Sequence, residues 1–358
     1  MVILHIAHVD GNACNGVDVA VLQHVKAQQK LEKVGFINLT GRKFDGIDNQ
    51  LDCSLPFSLS SLPQPFDRPD IVVFHEFYRP KYLRIYKTLK KSGVPYIIVP
   101  HGEMTMLAQR SKRLKKTVAN ILLFNAFVRG SLALQCLSTA EVERTKFRKD
   151  KFVATNGVWL PERIKSEFSG RGVKFVFIGR LDIFFKGLDL MIEAVSSIAD
   201  FMRDNGCSIS IYGPDFGGRF AAVSKMIEDA SVGDIVSLNR EVLGKDKEEK
   251  LLENDCFIQT SRSEGMPMGI LEAMSYGLPL LVTEGTTLSG VVDEYNAGRS
   301  CHTDAQSIAD AVKGVASERD SLASKSRGAR RIAEELFSWD KVAQTAIDEY
   351  KKRINLID

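Results

Sequence analysis

Short, unbroken apolar runs alternate with helical segments along this chain, and that alternation constrains its fold more than any other sequence feature. In the first half, residues 2–9, 34–39, 71–74, 96–99 and 132–137 are apolar enough to predict short buried strands. Helical spacing fills 17–31, 81–91 and 111–128, and 11–16 is a polar turn. A second series follows, with strands predicted at 174–178, 208–212, 235–238, 256–259 and 278–282. Helices are predicted near 187–204, 220–230, 246–254, 268–276 and 307–318. Continuous apolar runs between helices imply parallel sheets covered on both faces, a doubly wound α/β architecture. At 358 residues the chain is too long for one ordinary core. The polar stretch 162–172 is the best linker, so two domains are expected, 1–160 and 161–339, facing a cleft. Ligands bind such sheets at the carboxyl ends of their strands.

Bulk features exclude several classes. No apolar run reaches the length of a membrane-spanning helix. The opening residues lack a basic region and a cleavage site, so they predict a first strand rather than a signal peptide. The six cysteines are scattered without a Cys-x-x-Cys pair, the usage of a reducing cytoplasm. The six histidines show no ligand spacing, so no metal site is expected. Charge is uneven: residues 1–160 carry 23 Lys and Arg against 13 Asp and Glu, and residues 161–358 carry 25 against 32. Either the first half faces an anionic partner, or the surface charge is merely uneven.

The stretch 261–283 carries the strongest functional signal. Glu264 lies on a loop shaped by Gly265, Pro267 and Gly269, just before the predicted helix, and Glu272 lies about one turn inside it. A helix N-terminus suits a phosphate, and carboxylates accept hydrogen bonds from vicinal hydroxyls. Singly, Glu264 reads as a cap and Glu272 as a solvated side chain; together they suit a sugar nucleotide. Upstream, strand 174–178 runs into Gly179-Arg-Leu-Asp-Ile-Phe-Phe-Lys-Gly187, which puts Arg180 and Lys186 at a strand end. Two cations there can neutralise a diphosphate and the charge that develops as it leaves.

Gly179-Arg180, Lys186-Gly187, Glu264-Gly265, Glu272-Ala273 and Gly277-x-Pro279 resemble the retaining glycosyltransferases of family 4, which have two Rossmann-like domains in the GT-B fold. The tail Phe337-Ser-Trp-Asp340 with Tyr350 is similar to that family's C-terminal helices. The resemblance covers almost all of the second domain and the first only in outline. It implies that Arg180 and Lys186 bind the donor diphosphate, that Glu264 contacts donor-sugar hydroxyls and that Glu272 binds the ribose. It implies sugar and phosphate contacts from the backbone of Met266, Pro267, Met268 and Gly269. It also implies that a closing helix, 340–356, packs back on the first domain. In the first domain, the family's glycine-rich loop corresponds to Gly11-Asn-Ala-Cys-Asn-Gly16; only Gly16 keeps a glycine of its pair, with Asn15 in place of the other. His101, after strand 96–99, is placed by the resemblance beside the donor sugar; the bland alternative is a turn cap. His75 is a weaker candidate, and Glu103 reads as a solvated loop carboxylate, with contact to the acceptor the alternative.

Arg110-Ser-Lys-Arg-Leu-Lys-Lys116 leads into the apolar 121–128, which reads either as an interfacial membrane anchor or as a core helix with a basic first turn. Aromatic residues are not interleaved with these cations, which disfavours nucleic acid. The expectation is therefore a cytoplasmic glycosyltransferase, peripheral on the inner membrane face. It would move a sugar with retention, without metal or cofactor, to a glycan or lipid-linked acceptor of a bacterial surface polysaccharide. A UDP-sugar is the favoured donor and GDP-mannose the other. Front-face attack is implied, with Glu264 as nucleophile the alternative. A sugar-nucleotide epimerase and a non-catalytic nucleotide-sugar-binding scaffold are the rival classes.

Overall fold

The computed structural model describes residues 1–53, 56–110, 113–215 and 217–356. The chain divides into two units, residues 1–157 with 339–358, and residues 158–338.

The first unit holds a seven-stranded sheet in the order β3-β2-β1-β4-β5-β6-β7, parallel throughout. Its strands are β1 Val2–Ala7, β2 Lys33–Asn38, β3 Gln50–Leu51, β4 Ile71–His75, β5 Tyr96–Val99, β6 Ala133–Cys136 and β7 Lys151–Val153. The order reverses between β1 and β4, where the loops after two neighbouring strands diverge and leave room for a ligand. Ile3, Leu4, Ile6, Val72, Val73, Phe74, Ile97 and Ile98 are fully buried, as strands covered on both faces require. The helix expected over 111–128 is interrupted. Ser111 and Lys112 lie outside the described residues; Arg113–Ala119 and Asn125–Gly130 are α-helical, and Asn120–Phe124 between them is a π turn.

The second unit holds a six-stranded parallel sheet in the order β10-β9-β8-β11-β12-β13. Its strands are β8 Lys174–Ile178, β9 Ser208–Tyr212, β10 Val236–Asn239, β11 Cys256–Gln259, β12 Leu280–Thr283 and β13 Gly298–Cys301. Here the reversal falls between β8 and β11, whose outgoing loops carry Arg180, Lys186 and Glu264. The helix expected over 187–204 is two pieces, Leu188–Ser197 and Ala199–Asp204, and a further short helix, Ile183–Lys186, comes just before them. Gly187 separates Ile183–Lys186 from Leu188–Ser197 at φ +65°, and a Cβ there would lie 2.0 Å from the Thr260 carbonyl oxygen. Only glycine tolerates both demands.

The closing helix, Trp339–Ile354, belongs to the first unit. Trp339, Val342 and Ala343 bury against Ala27 of helix Gly16–Gln28. Gly157 makes room for the indole, since a Cβ there would meet it at 2.7 Å. The Tyr350 hydroxyl donates to Gln135 at 2.6 Å, and Arg353 pairs with Asp150 at 2.8 Å.

Candidate functional site

In the second unit, the site is assembled by backbones that touch at the carboxyl ends of the strands. A Cβ on Gly213, after β9, would lie 2.3 Å from the Gly179 carbonyl oxygen, after β8. A Cβ on Gly269 would lie 3.0 Å from the Ile178 carbonyl oxygen, so the first turn of helix Met268–Ser275 abuts the end of β8. Pro267 is that helix's N-cap and offers no side-chain hydrogen bond. Lacking an N–H, Pro267 shapes the turn, and the donors available to an anion are the N–H groups of Met266, Met268 and Gly269.

Around this helix start the structure brings the predicted residues together. Lys186 ends helix Ile183–Lys186, which Asp182 caps by accepting from the Phe185 N–H at 3.1 Å. Its Nζ meets Glu264 Oε1 at 2.6 Å, and both side chains are about one-seventh exposed (14% and 16%). The Ser261 hydroxyl and the Gln259 amide donate to the same oxygen at 2.9 and 3.3 Å. The Glu264 N–H donates to the Gly285 carbonyl at 2.8 Å, so this carboxylate is held from both ends. Arg180 is exposed, and among the described residues its guanidinium has no ion-pair partner.

Two partners were missed from sequence. Lys247, on helix Gly244–Glu253, pairs with Glu272. It sits in the run Gly244-Lys-Asp-Lys-Glu-Glu, which reads as an ordinary solvated face, so nothing marks it out. Arg262 forks onto both Asp189 oxygens at 2.7 Å, donates to the Phe184 carbonyl at 2.9 Å and lies over the Phe184 ring. This staple ties the loop after β11 to helix Ile183–Lys186 and so holds Lys186 beside Glu264.

In the first unit the loop after β1 differs from expectation. Gly16 is the first residue of helix Gly16–Gln28, and Asn15 is its N-cap, accepting from the Val17 N–H at 3.1 Å. The left-handed turn falls on Gly11, φ +75°. The buried Asp18 carboxylate takes the Asp10 and Asn12 N–H groups at 3.1 and 3.0 Å and the Asn15 amide at 2.8 Å. Replacing the expected glycine by Asn15 therefore gives a capped, internally satisfied loop, and the flexible backbone point is Gly11 rather than Gly16.

His101 follows β5 in the left-handed region, φ +47°, and Gly102 continues at +84°. The buried Glu141 holds this turn, accepting from the Gly102 and Leu137 N–H groups at 2.6 Å each. Glu103 is partly buried: its carboxylate accepts from the Phe77 and Tyr78 N–H groups at 2.6 and 3.3 Å, and burial raises its pKa. His101 Nε2 lies 3.2 Å from His75 Nδ1, and His75 Nε2 lies 2.9 Å from His5 Nδ1. Burial lowers the pKa of His5 and His101 to about 3 and of His24 to about 4, and takes His75 well below its usual value. All four rings are neutral near pH 7.

Further along this unit, Leu114, Val118, Ile121, Leu122 and Leu123 are exposed, Leu114 by 85% and Leu122 by 71%, whereas Phe124, Phe127 and Val128 are buried. Arg110, Arg113, Lys146 and Arg148 line an adjoining cavity of about 650 Å³. Among the described residues no helix is long and apolar enough to cross a membrane, and no three His, Cys, Asp or Glu side chains are grouped to hold a metal ion.

A model of the family "Glycosyl transferases group 1" matches residues 161–332. Over 204 residues the chain is 24% identical to a D-inositol 3-phosphate glycosyltransferase of Paenarthrobacter aurescens (strain TC1). That match spans 55% of this chain and only about half (50%) of the curated relative. In structure the chain is similar to Anabaena Alr3699/HepE in complex with UDP and glucose, with a TM-score of 0.72 at 16% identity, over 98% of this chain and 100% of that one. It is also similar to sucrose-phosphate synthase from Thermosynechococcus elongatus, with a TM-score of 0.74 at 14% identity, over 98% and 99%. At these identities the likeness shows the fold, that of the GT-B glycosyltransferases.

Proposed function

We propose that this chain, whose residues 161–332 match the group 1 glycosyl transferases, moves a sugar with retention from a nucleotide-sugar donor to a glycan or lipid-linked acceptor. A bacterial surface polysaccharide is the setting and the inner face of the membrane the place. The observation that carries this reading is the convergence of Arg180, the Lys186–Glu264 pair and the start of helix Met268–Ser275 at the ends of β8 and β11. Arg180 and Lys186 take the diphosphate with the Met268 and Gly269 N–H groups, and Glu264 holds hydroxyls of the donor sugar. Glu272, once shared with Lys247, accepts from the ribose hydroxyls. A UDP-sugar is the first donor to test, in keeping with the UDP bound by HepE, and GDP-mannose the second.

In the transfer step the acceptor hydroxyl oxygen forms the new bond to the anomeric carbon, and the bond from that carbon to the diphosphate oxygen breaks on the same face. The acceptor proton passes to the leaving diphosphate. Arg180 and Lys186 stabilise the charge that develops there, which supplies what a divalent ion supplies elsewhere. The ion pair with Lys186 and the donors on Oε1 draw electron density from Glu264, which favours a holding role over a nucleophilic one. The exposed apolar row 114–123 beside Arg110, Arg113, Lys146 and Arg148 suits an anionic membrane that presents the acceptor.

Release of nucleoside diphosphate from a panel of nucleotide sugars, with and without EDTA, tests the assignment. Turnover unaffected by EDTA is the expected result. Epimerised donor would replace the reading by an epimerase, and binding without turnover would replace it by a scaffold. Salt-sensitive co-sedimentation with phosphatidylglycerol vesicles is expected as well, and no sedimentation at low salt would remove the membrane.

A further inference from the structure

The π turn Asn120–Phe124 shapes the cavity beside it in the first unit. The Asn125 N–H donates to the Asn120 carbonyl, five residues back, so one extra residue is fitted into the turn. In an unbroken α-helix, residues five apart point about 140° away from each other. Here Asn120 and Asn125 both line the cavity of about 650 Å³, together with Arg113 and Thr117 from the preceding turns. Asn120 is held in place. Its amide donates to Gln109 Oε1 at 3.1 Å, and the buried Gln109 donates to the Glu103 carbonyl at 2.7 Å. The Tyr78 hydroxyl meets the same Gln109 oxygen at 2.8 Å. This wall is therefore preformed, as ligand sites of such a size usually are.

Arg110, Arg113, Lys146 and Arg148 converge on the cavity from helix Met106–Arg110, helix Arg113–Ala119 and the stretch before β7. Among the described residues no Asp or Glu lines it, and none of these four cations has an ion-pair partner. Like charges gathered around one space repel, and a multivalent anion relieves that repulsion. Three guanidiniums and an ammonium suit phosphate oxygens in particular, because the Arg fork engages two at once. The rest of the rim is apolar and exposed, Met106 by 54% and Ile121 by 67%. Leu114, Val118 and Leu122 form the neighbouring exposed row of the same helical segment, outside the cavity. A water-soluble phosphate ester would satisfy the cations and leave this apolar surface bare. An amphiphile satisfies both.

We infer that the cavity is a binding site for the phosphate or diphosphate that joins a lipid chain to its head group. The phosphate oxygens lie among Arg110, Arg113, Lys146 and Arg148, and the first carbons of the chain lie on Met106 and Ile121. Of the two acceptor classes under Proposed function, this selects the lipid-linked one, and the link to an acceptor rests on that reading. The site itself lies wholly within the first unit and stands on the cavity and its charges.

Calorimetric titration of the full chain tests it, with UDP held in excess to fill any diphosphate site of the second unit. Hexyl diphosphate is expected to bind, inorganic diphosphate about tenfold more weakly, and hexyl glucoside not at all. Arg113→Ala and Arg148→Ala should each weaken hexyl diphosphate by about tenfold, with Arg113→Lys recovering only part of the loss. Unchanged thermal midpoints check that these exposed substitutions leave the fold alone. Leu122→Ser, outside the cavity, should weaken sedimentation with phosphatidylglycerol vesicles and leave hexyl diphosphate binding as it was. Binding that excess UDP abolishes, or that ignores the arginine substitutions, would overturn the site. Dihexanoylphosphatidylglycerol bound as tightly as hexyl diphosphate would overturn the acceptor as the source and assign the cavity to bilayer phospholipid. Hexyl diphosphate bound as expected by a chain that turns over no nucleotide sugar would uphold the site and overturn the transferase reading alone.

Discussion

Glu264 in the second unit and His101 in the first both follow a strand of a parallel sheet, yet the fold surrounds them with opposite kinds of polarity. Glu264 sits among formal charges that keep some solvent: Lys186 beside it, the exposed Arg180, and the Lys247–Glu272 pair on neighbouring helices. His101 ends a file of neutral rings that reaches into a dry core. The difference follows from the cost of burying charge. A partly exposed ion pair retains hydration and can exchange partners, whereas a buried ring stays neutral and finds its hydrogen bonds within the protein. The first arrangement suits an arriving diphosphate, which brings its own negative charge. The second arrangement is built from neutral hydrogen bonds alone.

The largest effect that tests this contrast is expected at Lys186. Lys186→Ala removes the cation both from the diphosphate and from Glu264, and turnover should fall by a factor of a hundred or more, about 3 kcal/mol. The fold should hold, because Ser261, Gln259 and the Gly285 carbonyl still fix the Glu264 segment and Arg262 still staples the loop. Paired measurements of donor turnover and thermal midpoint check both halves. Unaltered turnover would end the diphosphate assignment. A collapsed midpoint would mean that the pair is structural.

The charged cluster of the second unit was far more legible in the sequence than the neutral histidine file of the first. Arg180, Lys186, Glu264 and Glu272 stand beside glycines and a proline that mark strand ends and a helix start, so local rules place them at the same edge. Lys247 was not legible, because its partner Glu272 lies on a different helix and its own run is uniformly charged. The histidine file was invisible for a related reason. His5, Gln28, His75 and His101 come from separate elements, and only the strand order brings them together. His5 and His75 interrupt apolar runs, a signal too slight to suggest a network. The same physics explains the strands that were missed. Gln50–Leu51, Lys151–Val153 and Gly298–Cys301 are edge strands that are not buried on both faces, so they lack the unbroken apolar run that reveals an inner strand. Glu103 was misjudged because a loop position suggested solvent, when two backbone N–H groups of the neighbouring loop needed an acceptor.

A smaller, graded effect separates the two units by pH. His5, His24, His75 and His101 all hold protons less readily in the folded first unit than in the unfolded chain, where the imidazole pKa is near 6.5. Protonation therefore favours unfolding. The stability these rings carry is complete above pH 6.5 and is lost as pH falls towards about 4 for His24 and about 3 for His5 and His101. Each ring forced to stay neutral costs about 1.4 kcal/mol per pH unit in that window. Glu103 and Glu141 oppose this, since their raised pKa values favour the folded state as pH falls towards the ordinary carboxylate range, but two carboxyls work against four rings. The second unit has only the exposed His302, paired with Glu284, and no comparable buried set. Pulse proteolysis in graded urea, with peptides from 1–157 and 158–338 counted separately, should show the midpoint of the first unit falling between pH 7.5 and 5.5 while that of the second holds. Equal shifts in the two units, or a first unit indifferent to pH 5.5, would mean that the rings reach water and that the histidine file is not dry.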